Sequence, residues 1–115
     1  MAKSHDEIWE EWGRLVNMAP KEIEEFLETE ESRSVGDSSD GESTGHKSGR
    51  RIVEIKRTRK DALTDAQWDH MGKVVGYIKR HCAQGPRKDI ETSDWRYSLM
   101  NWGHDPLAEG GCAAD

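Results

Sequence analysis

The chain has 115 residues, room for one small domain that buries roughly 60–68% of the surface its unfolded form exposes, so its core is modest. Hydrophobic residues make up 33% and charged residues 35%, a lean mixture that leaves part of the chain with too little apolar surface to order itself. No apolar run approaches the ~20 residues of a membrane span, and the first residues lack the apolar stretch of a signal peptide, so the expectation is a cytoplasmic chain with no membrane segment.

Ser4 with Glu7 reads as a capping box, and Ile8, Trp9, Trp12, Leu15 and Val16 follow at helical spacing, predicting a helix over about 5–17. Pro20 suits the first turn of a second helix whose apolar face is Ile23, Phe26 and Leu27. The short connection Asn17-Met18-Ala19 predicts an antiparallel or angled helical hairpin, an outline shared by several DNA-binding modules and many structural ones. Residues 29–44 are rich in Ser, Gly, Asp and Glu and read as a flexible loop. A third helix over about 46–60 turns Ile52 and Ile55 one way and Lys47, Arg50, Glu54 and Arg57 the other.

The strongest pattern runs from Thr64 to Ala83. Trp68, Met71, Val75, Ile78 and Cys82 form one stripe with Val74 at its edge, Thr64 and Gln67 form a capping box, and Gly85-Pro86 closes the segment. Gly72 and Gly76 stand one turn apart on the other side, where each costs about 1 kcal/mol relative to Ala unless close packing offsets it, so a second element is expected to cross there. After a polar loop over Gln84 to Glu91, Thr92 or Ser93 offers an N-cap, Trp95, Leu99 and Trp102 share a face, Gly103 fits the position after a helix end, and Pro106 blocks continuation. Residues 108–115 read as a disordered tail, with fraying from Leu107. The fold class is therefore all-α: a single domain over 5–107, a small helical bundle of four main helices plus a short C-terminal one. Five Trp against one Phe point to Trp9, Trp12, Trp68, Trp95 and Trp102 as much of the core volume.

The net charge of −6 is unevenly spread. Residues 1–43 carry 4 basic and 13 acidic side chains, residues 44–88 carry 12 and 4, and residues 89–115 carry 1 and 6. The basic middle makes phosphate the natural ligand, with Lys47, Arg50, Arg51, Arg57, Lys79 and Arg80 as the candidate nucleic-acid-binding residues and Lys56, Arg59, Lys60, Arg87 and Lys88 nearby. They form one surface if the third and fourth helices lie side by side. The rival reading is pairing with the acidic helices or with a protein partner.

Other constellations are weaker. Gly41 to Ser48 matches the phosphate-loop pattern except that His46 takes the second obligatory glycine, and no buried strand precedes it. His46 and Ser48, two apart on a helix, do not face each other and read as cap or surface groups. Cys82 on the apolar stripe and Cys112 in a Gly/Ala tail make a poor framework for a disulfide, and His81 and His70 lack metal-ligand spacing, so no catalytic residue, metal or cofactor is expected. Trp95, Tyr97 and Trp102, with Asn101 and His104, read as a cap closing the core in preference to a stacking surface or peptide groove.

Three runs resemble a known family: Gly45 to Ile55 (GHKSGRRIVEI), Met71 to His81 (MGKVVGYIKRH) and Trp95 to Pro106 (WRYSLMNWGHDP). Asn17-Met18 and the stretch from Thr29 to Gly36 fit it as well. The chain is similar over about residues 5–107 to a small domain family of unknown function found in bacteria, archaea and fungi, some of whose members carry a generic DNA-binding label. The resemblance brings no catalytic residues. Ala19 and Cys82 depart from it, where a capping hydroxyl before Pro20 and a larger aliphatic are expected. Together these readings point to a non-enzymatic DNA-binding accessory protein that contacts phosphates through a basic helical face, with a protein-interaction module using the acidic helices or the Trp-rich end as the alternative.

Overall fold

A computed structural model describes residues 4–35, 44–85 and 89–113. Within them lie six α-helices and no strand: α1 (His5–Leu15), α2 (Pro20–Leu27), α3 (Glu30–Ser34), α4 (Thr44–Lys56), α5 (Asp65–Ala83) and α6 (Asp94–Asn101). The all-α bundle stands. No helix among the described residues is long and apolar enough to cross a membrane.

The helix starts follow local hydrogen bonding. Ser4 Oγ accepts from the Glu7 amide at 3.2 Å, Thr64 and Gln67 close a reciprocal box at 3.1 and 2.9 Å, and Ser93 caps α6 by accepting from Arg96 N at 3.1 Å. At α2, where Ala19 has no hydroxyl, Glu22 Oε1 accepts from the Ala19 amide at 2.9 Å instead. Beyond α6, Gly103 has φ +81°, and the Gly103 and His104 amides donate to Met100 O and Leu99 O, each at 3.0 Å. A Cβ on Gly103 would stand 2.9 Å from Val16 Cγ1. Both conformation and packing therefore require glycine.

Tertiary pairing departs from the hairpin expectation. α1 lies along α5 and α2 along α4, so the short connection sends each helix to its own partner. Ile8, Trp12 and Val16, the stripe of Trp68, Met71, Val74, Val75 and Ile78, and Ile23, Phe26, Leu27, Ile52, Val53 and Ile55 are all buried in one core cluster. Each such side chain contributes about 1.5–3 kcal/mol on burial. Trp9, expected in the core, is 37% exposed: it lies beside Trp68, centroids 6.2 Å apart, with the Lys60 ammonium over its ring.

α1 crosses α5 at Gly72, as expected, but without close backbone packing. A Cβ on Gly72 would meet Ile8 Cδ1 at an ordinary 3.7 Å, whereas one on Gly49 of α4 would come within 2.8 Å of both Asn101 O and Leu27. Part of the expected 29–44 loop is also ordered. Thr29 caps the one-turn helix α3, accepting from Ser32 N at 3.2 Å, and Ser32 and Val35 are buried; residues 36–43 fall outside the described set.

The C-terminal segment folds back where fraying is expected. Its amides turn on themselves, Gly111 N to Ala108 O and Ala113 N to Pro106 O at 2.8 Å each. Cys112 forms a disulfide with Cys82, Cα atoms 5.9 Å apart, which overturns the reading of the two cysteines as unsuited to pair. Residues 114 and 115 lie outside the described set. The same end of the molecule holds the α1–α2 turn: Asn17 Nδ2 donates to Asp105 O at 3.0 Å and Asn17 Oδ1 accepts from Asp105 N at 2.8 Å. Arg96 grips the Asp105 carboxylate with two bonds of 3.1 Å.

Candidate nucleic-acid interface

α4 and α5 place the basic residues, and the acidic helices claim several of them. Arg57 pairs with Glu24 of α2, both about half exposed. Lys79 pairs with Glu11 of α1 at 2.6 Å. Lys56 bends inward, its ammonium donating to Val16 O and Met18 O at 3.2 and 2.9 Å, where it satisfies carbonyls at the end of α1. Lys60 reaches toward Asp6 at 3.7 Å, and Arg59 lies 3.5 Å from Asp61. Lys47 and Arg50 are exposed on α4, and each has an interaction of its own. Arg87 and Lys88 lie outside the described residues.

A different set remains open. Arg51 on α4 and Lys73 on α5 are exposed, and neither enters an ion pair among the described residues. Burial lowers the pKa of His70, and Arg51 and Lys73 lower it further by charge. The two cations thus concentrate positive potential beside one imidazole from two separate helices. A groove of about 250 Å³ opens here between Arg51, Glu54 and Ile55 on one side and Ala66, Gln67 and His70 on the other.

From His70 a row of half-buried rings runs along α5. His70 stacks toward Trp102 (6.1 Å between centroids), Trp102 on Tyr77 (4.1 Å) and Tyr77 on His81 (4.0 Å). Arg80, exposed at the far end, lowers the pKa values of both Tyr77 and His81 by its charge, though burial dominates each shift, raising the phenol and lowering the imidazole. Cations therefore stand at both ends of an aromatic row.

Of the six residues singled out in the sequence, Arg51 and Arg80 face this row, Arg57 and Lys79 are drawn to acids, and Lys47 and Arg50 lie farther along α4. His70, Lys73 and Tyr77 were not singled out. Their only sequence signal is their three- and four-residue spacing on α5, and the approach of Arg51 depends on how α4 crosses it.

The serine reading also changes. Ser48 is 3% exposed, not a surface group, and its hydroxyl shares a 2.9 Å hydrogen bond with His70 Nε2. Within α4 the hydroxyl is enclosed and engaged by that bond. Ser48 lies within α4, with no strand among the described residues to support a phosphate loop; His46 is helical in the same segment, and Gly41 to Ser43 lie outside the described residues. Asn101 and His104 are buried, as a core cap requires. Trp95 contributes to that cap, donating from Nε1 to His81 O at 2.5 Å with its ring against Gly85.

The fold and this face define a small helical domain with a cation-flanked aromatic strip. The chain belongs to the family described as Protein of unknown function (DUF3140), whose family model matches residues 11–100. No curated protein and no solved structure matches it.

Proposed function

We propose that this protein is a non-enzymatic, cytoplasmic DNA-binding accessory protein that contacts phosphates along the α4–α5 face. The observation that carries the reading is the groove in which Arg51 of α4 and His70 of α5 stand together, with Lys73 exposed one turn along α5 and Arg80 exposed beyond the ring row. Arg51 suits bidentate phosphate contacts, and Lys73 supplies a point charge. The overall charge of −6 opposes approach to a polyanion, so binding is weak at physiological salt and falls steeply as salt rises. The protein-interaction alternative draws less support, because Glu11 and Glu24 are engaged within the fold and the Trp95 indole N–H is satisfied internally.

The test is fluorescence anisotropy with labelled random-sequence duplex and single-stranded DNA at several salt concentrations. The double variant Arg51→Glu, Lys73→Glu is expected to lose binding, whereas Arg57→Gln changes affinity less than about threefold, in line with the small net contribution of an exposed pair. Undiminished binding by a folded double variant, or no binding by the unaltered chain even at low salt, overturns the reading.

A further inference from the structure

The disulfide lies against a third group suited to metal binding. Cys82, His104 and Cys112 offer one ligand atom each, all within 4.8 Å of one another. Cys82 Sγ is 3.7 Å from His104 Nε2, and the edge of a tetrahedral zinc site between one sulfur and one nitrogen is about 3.6 Å for bonds of about 2.3 and 2.0–2.1 Å. His104 is fully buried and fixed through its other nitrogen, Nδ1 lying 2.5 Å from Leu15 O. A backbone carbonyl on Nδ1–H is the outer-shell contact that orients a metal-binding imidazole and leaves Nε2 as the donor. Among the described residues Nε2 accepts a 3.2 Å bond from the Cys112 amide, which a metal would displace. Cys112 is exposed, so once the disulfide is reduced a shift of its side chain alone can bring the two sulfurs to the ~3.8 Å that two sulfurs on one zinc ion require.

We propose that, after reduction, Cys82 Sγ, Cys112 Sγ and His104 Nε2 bind a zinc ion, with water in the fourth position, and that the disulfide and the metal are alternative clasps on the C-terminal segment. A dithiol reductant gives two electrons and two protons to the sulfur–sulfur bond and leaves as its own disulfide. Zinc then displaces one proton from each thiol, giving two zinc–sulfur bonds and two released protons. Oxidation by a disulfide-bearing oxidant returns the bond and expels the metal.

The experiment uses the full chain, reduced with a phosphine under anaerobic conditions and titrated with cobalt(II) as the coloured probe for zinc. A thiolate-to-cobalt charge-transfer band saturating at one equivalent, and bleached by added zinc, is expected. The chain has two cysteines, so the band can come from no others; it disappears in the oxidised chain and in Cys112→Ser, whose altered residue is exposed. Zinc-edge X-ray absorption should then show two sulfurs at about 2.3 Å and one nitrogen at about 2.0–2.1 Å. Absence of the band in the reduced chain, its survival in Cys112→Ser, a first shell without nitrogen, or four sulfurs from a metal shared by two chains would each overturn the proposal.

Discussion

Ser32 and Asn101 bond to each other twice across the core. The Ser32 hydroxyl donates to Asn101 Oδ1, and Asn101 Nδ2 donates back to Ser32 O at 3.0 Å. Both residues are 0–1% exposed, so water cannot replace either partner. Asn101→Ala strands two polar groups of Ser32 and is expected to cost roughly 2–4 kcal/mol, while Ser32→Ala, which leaves the carbonyl bond intact, costs about 1–3 kcal/mol. Urea unfolding of both variants checks the order.

Two glycine-to-alanine changes should have opposite signs. At Gly49 the new methyl would clash with the backbone of Asn101 and with Leu27 at 2.8 Å, an overpacking expected to cost about 1–3 kcal/mol or more. At Gly72 the nearest neighbour is 3.7 Å away, and the gain in helix propensity should stabilise by up to about 1 kcal/mol. Thermal unfolding of the two variants side by side tests where the helices truly crowd.

Acid should loosen the fold before the carboxylates titrate. Burial lowers the pKa values of His70, His81 and His104 from 6.5. Between those folded values and 6.5 the unfolded chain holds more protons, so stability is complete above pH 6.5 and declines as pH falls below it. Asp105 acts lower: burial would raise its pKa, but Arg96 and the Leu107 amide hold it below 3.8, so its contribution is lost as pH falls below 3.8. The urea midpoint is expected to fall from about pH 7.5 to about pH 5. A midpoint constant over that interval would contradict neutral burial of these imidazoles.

Cys112→Ser in the oxidised chain removes a link spanning 30 residues, for which loop entropy gives about 3–4 kcal/mol. The expected result is a lower Tm, matched in the unaltered chain by a phosphine reductant in the absence of metal. Equal Tm values with and without reductant would show that the Cys112 segment is held by its turns alone.

Surface pairs should matter little. Lys79→Ala breaks the contact with Glu11 but is expected to change stability by less than about 1 kcal/mol, because the lysine is 42% exposed and water screens the charge.

Local chemistry was readable from the sequence and long-range geometry was not. The caps at Ser4, Thr64 and Ser93, and glycine at 103, each depend on hydrogen bonds among residues within a few positions. The stripe from Trp68 to Ile78 was equally plain, because a helix repeats its buried face. Which helix covers that stripe was not: α1 and α2 carry similar apolar faces, and their separation onto α5 and α4 depends on shape. Cys82 and Cys112 gave no sign of meeting, because they stand 30 positions apart and only the succession of turns from Asp105 to Ala113 returns the tail to the end of α5. The basic run could be counted, but Arg57 turns to Glu24 and Arg51 to His70 only because α4 is rotated so in the folded chain.

The bonds between the α1–α2 turn and the residues after α6 span 88 and 89 positions. On a ribosome, Leu15 and Asn17 emerge long before Gly103, His104 and Asp105. At about 5–20 residues per second that interval lasts roughly 5–20 s, during which the turn has none of these partners. A nascent chain stalled before Gly103 therefore offers proteases and chaperones an open joint at the α1–α2 turn, one that closes only once His104 and Asp105 have emerged.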